Sequence, residues 1–233
     1  MHWQPPSVAP ILTMIYFINY LLNNGVPQET IILILMLPII ATIIAFSRQI
    51  IGIKTFGIYT PLIITFVFLA IDIRYGIIVF ITVLLAGSLV RIILKRFRFL
   101  YLPRMAILVI IVALIILLMF GEAAYSQRTE FIGTSIFPIL IMIILVEKFI
   151  SAQIEKGART AILLTIETLI IAIICYIVVR LEFLRSFVLA KPGWVIAGSI
   201  VANILLGKWT GLRLFEFIRF KDVIKYVELP EKK

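Results

Sequence analysis

The residues with the greatest chemical potential are polar groups inside long apolar stretches. Glu167 lies about 10 Å into such a stretch if its helix begins near Thr160, at 1.5 Å per residue. A charge at mid-membrane costs roughly 2.5–3.5 kcal/mol, so such groups usually face the protein interior and serve a substrate or a proton. Arg91 is a candidate partner for Glu167, and Asn203 is a third inward-facing candidate. The alternative for these residues is a hydrogen-bonded clamp between helices.

Two apolar runs, FGIYTPLII and FIGTSIFPILI, each combine a glycine with a proline. Proline removes a backbone donor, and in hydrocarbon the freed carbonyl must be satisfied by protein, ligand or water. The pattern favours either a shared polar pathway or local satisfaction by the hydroxyls of Thr60, Thr134 and Ser135. Lys54 either meets an anion at the cytoplasmic mouth or snorkels to the interface. The candidate pathway residues are Lys54, Gly57, Thr60, Pro61, Arg91, Arg104, Gly133, Pro138, Glu167 and Asn203.

Several classes of enzyme are excluded by the inventory of reactive side chains. His2 is the only histidine and Cys175 the only cysteine, so a histidine-ligated zinc site, a Ser-His-Asp triad and a disulfide framework are excluded. The sequence also lacks GxxxxGK[ST], GxGxxG and HExxH. We therefore expect no catalytic residues, no metal and no cofactor, and any ATP site must lie in another subunit.

The elements that position these residues are predicted to be transmembrane helices. A hydrophobic fraction of 63% and a mean hydropathy of +1.17 exceed the values of soluble domains. We predict an all-α fold with seven spans, several of them short against the roughly 20 residues that cross a bilayer. Residues 1–29 are predicted to be an external segment in which the apolar residues 8–22 form an interfacial or re-entrant helix, the alternative being an eighth span. Residues 208–233 are predicted to be a cytoplasmic, amphipathic basic tail. The spans are 30–47, 56–71, 75–94, 105–120, 131–146, 160–180 and 193–207.

The distribution of positive charge predicts the orientation. Of the 22 lysines and arginines, 17 fall in the first-to-second, third-to-fourth and fifth-to-sixth connections and the C-terminal tail. This bias places that side in the cytoplasm and the N-terminus outside. The second to fourth and the fifth to seventh spans then form oppositely oriented triplets, and Gly/Pro-interrupted helices at matching positions of inverted repeats point to a central binding site.

Charges at the span ends are candidates for partner docking. The net charge of +10 sits there, which indicates lipid headgroups and topology rather than nucleic acid. In RIILKRFRFLYLPRM, arginines alternate with aromatic residues, as in a positive-inside clamp or a docking surface for an anionic polymer. Glu147 is expected where the fifth span leaves the membrane, within reach of a local ion pair. The docking candidates are Arg96, Arg98, Glu147, Lys148, Arg213, Glu216 and Arg219.

The segments RQIIGIKTFGIYTPLI, VRIILKR, LPRM, LVEKF and TGLRLFEFIRF resemble the seven-transmembrane domain usually fused to an inactive transglutaminase-like domain. The resemblance covers about residues 30–223. It implies a multi-pass membrane protein, and it places motif positions at Gly52, Gly57, Thr60, Pro61, Arg91, Pro103, Arg104, Glu147, Arg213, Glu216, Arg219 and Phe220.

The GI…P pattern before the core of the second span, the basic third-to-fourth loop, and IGTSIFPILI followed by a basic-acidic loop are also similar to the small membrane subunit of poly-gamma-glutamate capsule synthesis (the PgsC/CapC type). This similarity covers about residues 50–180. That resemblance implies a non-catalytic subunit in a prokaryotic inner membrane, beside a cytoplasmic ATP-dependent amide ligase and other membrane subunits. The leading hypothesis is thus support for the synthesis or export of an anionic poly-amino acid, with self-association an open possibility. The alternatives are a proton-coupled transporter of a small anion and a structural membrane anchor.

Overall fold

The computed structural model describes residues 10–96, 100–125 and 136–209, and every regular element in these ranges is helical. Long apolar runs favour helices because a helix satisfies its backbone hydrogen bonds internally. A π-helical turn, Ser47–Ile51, extends α2. The α-helices are α1 (Pro10–Asn23), α2 (Gln28–Phe46), α3 (Tyr59–Ile71), α4 (Ile73–Lys95), α5 (Tyr101–Tyr125), α6 (Ile136–Lys156), α7 (Ala158–Arg180), α8 (Glu182–Ala190) and α9 (Pro192–Lys208).

Each of the seven predicted spans overlaps an apolar helix of the described residues. Five stretches among the described residues are long and apolar enough to cross a bilayer, and a sixth candidate is the pair α8 and α9, bent by 103°. The remaining span corresponds to α3, an apolar helix of 13 residues. The five long stretches are Gln28–Ile51, Ile73–Lys95, Leu102–Glu122, Phe137–Lys156 and Ala158–Arg180. The prediction of an all-α, multi-pass membrane fold is confirmed.

The predicted end of the fifth span is wrong. Helix α6 continues through Glu147 to Lys156, and only Gly157 separates it from α7. Gly157 has φ +84°, a left-handed conformation that glycine adopts without strain. The buried face of α6 extends through Ile150 and Gln153, so the helix keeps packing beyond the first charged residues. Glu147 and Lys148 therefore lie inside a helix, half-buried and exposed respectively, and not in a connecting loop.

Two compact units divide the chain, and the first comprises residues 1–54 and 177–233. In its described part, α9 packs against both α1 and α2, and α8 packs against α2. Met36, Ile40 and Ile44 are fully buried on one face of α2. The helix predicted within residues 8–22 is present as α1, while its interfacial position stays a prediction.

The second unit comprises residues 55–176 and holds α3 to α6 and most of α7. Helix α4 packs against α3, α5 and α6, and α6 also packs against α3 and α5. At the closest approach, a Cβ added to Gly87 of α4 would lie 2.6 Å from Cγ1 of Val146 on α6. The absence of a side chain at Gly87 therefore brings α4 and α6 together.

The two helices with the Gly/Pro pattern, α3 and α6, lie side by side within the second unit. Pro61 is the third residue of α3, so it falls in the first turn and does not interrupt the helix, contrary to the prediction of a Gly/Pro-interrupted span. The two compact units cut across the predicted three-span triplets, because five of the spans share the second unit. The inverted repeat stays a prediction.

Candidate functional site

The centre of the candidate site is Arg91, half-buried near the C-terminal end of α4. Its Nη1 donates to Oε1 of Gln153 at 2.7 Å, and its Nη2 donates to the backbone carbonyl of Gln153 at 3.0 Å. Gln153 lies on α6 and is 5% exposed, and its Nε2 donates to Oγ of Ser88 at 3.2 Å. Neutral groups thus fix the guanidinium on two sides without neutralising its charge.

The third donor nitrogen of Arg91 has no partner. Its Nε is buried and makes no hydrogen bond. Within the described ranges no carboxylate pairs with Arg91. A buried unsatisfied donor is rare in folded proteins and calls for an explanation, such as a ligand. A cation in an apolar span also calls for an explanation, because such a charge is normally paired or functional.

A second arginine lies next to the first. Nη2 of Arg104, on the first turns of α5, donates to the backbone carbonyl of Arg91 at 3.4 Å. Lys95 and Arg96, both exposed, end α4 at the same place. Arg91, Lys95, Arg96 and Arg104 form what we call the cationic end of the second unit. Because like charges repel, an anion placed among them lowers the electrostatic energy of all four.

The contact between Arg91 and Gln153 joins the C-terminal parts of α4 and α6. The third-to-fourth and fifth-to-sixth connections therefore lie at one end of the second unit, as the predicted topology requires. Lys156 and Arg159, which flank the turn at Gly157, add positive charge to that end.

A cleft of about 610 Å³ extends from the cationic end along α4 and α7. Such a volume is typical of ligand pockets, which range from about 300 to 1,000 Å³. The polar lining residues are Ser88, Arg91 and Gln153, together with Thr165 on α7. The other walls are apolar and comprise Phe80, Ile81, Leu84, Leu85, Ile92, Phe149, Ala158, Ile162, Ile166 and Leu169. We call this space the α4–α7 groove.

The residues around Pro61 satisfy one another. Pro61 stands where a helix has no acceptor for its N–H, so it breaks no helical bond, and Oγ1 of Thr55 donates to the carbonyl of Gly57 at 2.8 Å. Oγ1 of Thr60 donates to the carbonyl of Phe56 at 2.8 Å. These bonds favour the local alternative at Thr60 and Pro61, whereas a role in a polar pathway stays a prediction.

A small cavity beside Thr60 also contains Thr165 and Thr168 of α7. Its volume is about 10 Å³, which holds at most one water molecule. Thr165 donates its hydroxyl hydrogen to the carbonyl of Ala161 at 2.8 Å. In the second unit, the space next to these threonines does not accommodate an anion.

Glu167 lies on another face of α7 from the α4–α7 groove. Thr165 and Ile166 line the groove, and each further residue turns about 100° around the helix axis. The predicted pair between Glu167 and Arg91 does not form, because Arg91 bonds Gln153 instead. Glu167 is half-buried.

Asn203 and Lys54 belong to the first unit. Nδ2 of Asn203, on α9, donates to Oγ1 of Thr42 on α2 at 2.7 Å and to the carbonyl of Ser199 at 2.8 Å. This is the helix-to-helix clamp that the sequence left open as an alternative. Lys54 is exposed. Pro138 is buried on α6, while Arg98, Gly133, Arg213, Glu216 and Arg219 lie outside the described residues.

Sequence reasoning missed Gln153 and Ser88. Gln153 follows the buried positions Val146, Phe149 and Ile150 at helical spacing, which was the available signal. A fifth span that ends at residue 146 excludes Gln153 from the membrane helix and hides this signal. In the described ranges, no group of three histidine, cysteine, aspartate or glutamate side chains could hold a metal ion.

The long apolar helices define a multi-pass α-helical membrane protein. A family model described as seven transmembrane helices usually fused to an inactive transglutaminase matches residues 14–224, nearly the whole sequence. The chain therefore belongs to this family. No curated protein and no solved structure matches it.

Proposed function

We propose that this chain is a non-catalytic subunit of the cytoplasmic membrane of a prokaryote. It supports a cytoplasmic ATP-dependent amide ligase that makes an anionic, poly-gamma-glutamate-like polymer. The observation that carries the proposal is the cationic end, where Arg91 and Arg104 contact each other without a carboxylate among the described residues. The predicted orientation, with the N-terminus outside and the C-terminus inside, turns this end toward the cytoplasm.

The chemistry of the cationic end suits carboxylates. Arginine presents several donors in a rigid fork that matches a carboxylate, and its charge persists at every physiological pH. Arg96 is exposed and Arg104 half-buried, so an approaching chain of carboxylates meets a graded set of cations. Capture of a product at the membrane surface requires these groups and no catalytic residue.

The family description is compatible with a supporting role, since the domain usually fused to these helices is an inactive transglutaminase. The sequence contains no nucleotide-binding motif, so the energy for amide synthesis must come from a partner protein. We expect that partner and further membrane subunits to dock on the charges at the helix ends.

The test is polymer production by cells carrying Arg91→Gln or Arg104→Gln, at equal membrane levels of the protein. We expect each variant to lower extracellular anionic polymer by about tenfold or more, corresponding to about 1.4 kcal/mol of lost binding. Arg74→Gln is the matched control, because Arg74 is exposed at the other end of α4. Unchanged polymer in both variants overturns the proposal. Anion uptake by liposomes that contain only this chain favours the transporter alternative instead.

A further inference from the structure

The α4–α7 groove is too apolar for a polymer of carboxylates, although one of its ends is cationic. A hydrated polyanion would lose water along Leu84, Leu85 and Ile166 without gaining polar partners. The groove thus fits a different ligand from the cationic end alone. We propose that it binds one anionic membrane phospholipid, with the headgroup at Arg91 and one acyl chain along α4 and α7.

The length of the groove matches one leaflet. From Arg91 its lining on α4 runs to Phe80, which is about 16 Å at 1.5 Å per residue. This is half of the roughly 30 Å hydrocarbon core. An acyl chain that starts at the headgroup level next to Arg91 therefore ends near the bilayer centre.

The outer rims of the groove are open to the side of the unit. Leu85 is 66% exposed on α4, and Ile166 is 50% exposed on α7. In a membrane, side chains exposed at this depth face lipid. A phospholipid can therefore enter laterally without any change in the helices.

The headgroup contact rests on the uncompensated charge of Arg91, which lines the groove. Gln153 accepts one hydrogen bond from each of Nη1 and Nη2, so each of these nitrogens keeps a second N–H, whereas the unpartnered Nε is buried. A phosphate oxygen accepts from a remaining Nη–H and compensates the charge that neutral groups leave uncompensated. Basic pockets between helices on the cytoplasmic side are known to hold anionic headgroups.

The experiment uses the full chain purified in mild detergent, and it is independent of the proposed function because no ligase or polymer is present. Phosphatidylglycerol or phosphatidylcholine is added, and bound lipid is counted by native mass spectrometry. We expect one phosphatidylglycerol per chain, with about tenfold preference over phosphatidylcholine. Arg91→Gln should abolish that preference, while the matched control Arg74→Gln retains it.

A photoactivatable phosphatidylglycerol with the reactive group in the acyl chain locates the site in the unaltered protein. We expect labels on Leu85, Ile162 and Ile166. Labelling spread over other helices, or equal retention of both lipids, overturns the proposal. Displacement by inorganic phosphate at millimolar concentration also overturns it, since the site would then bind an anion without a chain. Pairs of chains without bound lipid in the native mass spectra would overturn it too, since the groove would then be a protein interface.

Discussion

Two arginines, one in each compact unit, illustrate two ways of placing a cation in an apolar protein. In the first unit, Arg185 of α8 pairs with Glu29 of α2, and Glu29 is 71% exposed. In the second unit, Arg91 is held by an amide and a backbone carbonyl and keeps an unpaired nitrogen. The first arrangement is electrically complete, whereas the second is complete only with an external anion.

The same contrast holds for the polar side chains between helices. Asn203 donates to Thr42, and Thr42 donates to the carbonyl of Pro38 at 2.7 Å, so this chain of bonds ends within the protein. In the second unit, Arg91 donates to Gln153 and Gln153 donates to Ser88, so this chain begins on a guanidinium that lines the groove and whose charge these neutral groups do not balance. Asn203 is exposed and not inward-facing as predicted, so a polar residue in an apolar span is not by itself a functional site. The difference lies in whether the protein satisfies it.

The largest effect on stability is expected for Gln153→Leu. The change removes the acceptor of Nη1 and leaves a charged donor unpaired, at a cost of about 1.5–3 kcal/mol in unfolding free energy. Arg91→Met combined with Gln153→Leu should recover most of the loss, because both polar partners are then absent. Thermal unfolding of the unaltered protein, of Gln153→Leu, of Arg91→Met and of the double variant in one detergent measures this coupling. Additive losses would show that the bond contributes little.

Hydropathy predicts the helical class well because it depends only on composition along the chain. An apolar helix overlaps each predicted span, five of the described stretches, or six with the bent pair, are long enough to cross a bilayer, and the family match over residues 14–224 agrees with the class. The orientation inferred from the charge bias stays a prediction. The end of α6 was not predicted, since Glu147 and Lys148 look like a membrane exit. Their helix continues because its apolar face still packs on the neighbouring helices.

The site was predicted only in part. Arg91 and Arg104 were recognised as cations near one membrane surface, and the structure brings them together. The partner of Arg91 was not recognised, because the contact depends on the register between α4 and α6. That register is set by Gly87 against Val146, a contact between residues 59 positions apart that no local pattern reveals.

A smaller effect is expected for Gly87→Ala, which tests how the second unit positions Gln153. The added Cβ would lie 2.6 Å from the fully buried Val146, whose branched side chain adapts poorly. Overpacking costs about 1–3 kcal/mol, and the better helix propensity of alanine returns about 0.5–1 kcal/mol, so we expect a net loss of about 1 kcal/mol. Thermal unfolding measures this loss of unfolding free energy.

The matched control is Gly121→Ala on α5, where the new Cβ meets no atom within 4 Å. This variant should be stabilised by about 0.5–1 kcal/mol, so the two substitutions differ in sign. Val146→Ala in the Gly87→Ala background should relieve the strain and give a favourable coupling energy. Equal behaviour of the two glycines would contradict the close approach of α4 and α6.

The smallest effect is expected for Asn203→Leu. This variant tests whether the hydrogen bonds of Asn203 and Thr42 are satisfied within the protein and serve no ligand. The variant loses one hydrogen bond between α9 and α2, worth about 0.6 kcal/mol on average between membrane helices. No group is left unsatisfied at Thr42, because its hydroxyl still donates to the carbonyl of Pro38.

Thermal unfolding of Asn203→Leu, of Thr42→Val and of the double variant gives the coupling energy between the two side chains. Retention of phosphatidylglycerol should be unchanged in all three. If Asn203→Leu instead abolishes lipid retention or polymer production, the contact in the first unit is functional and the contrast between the two units fails.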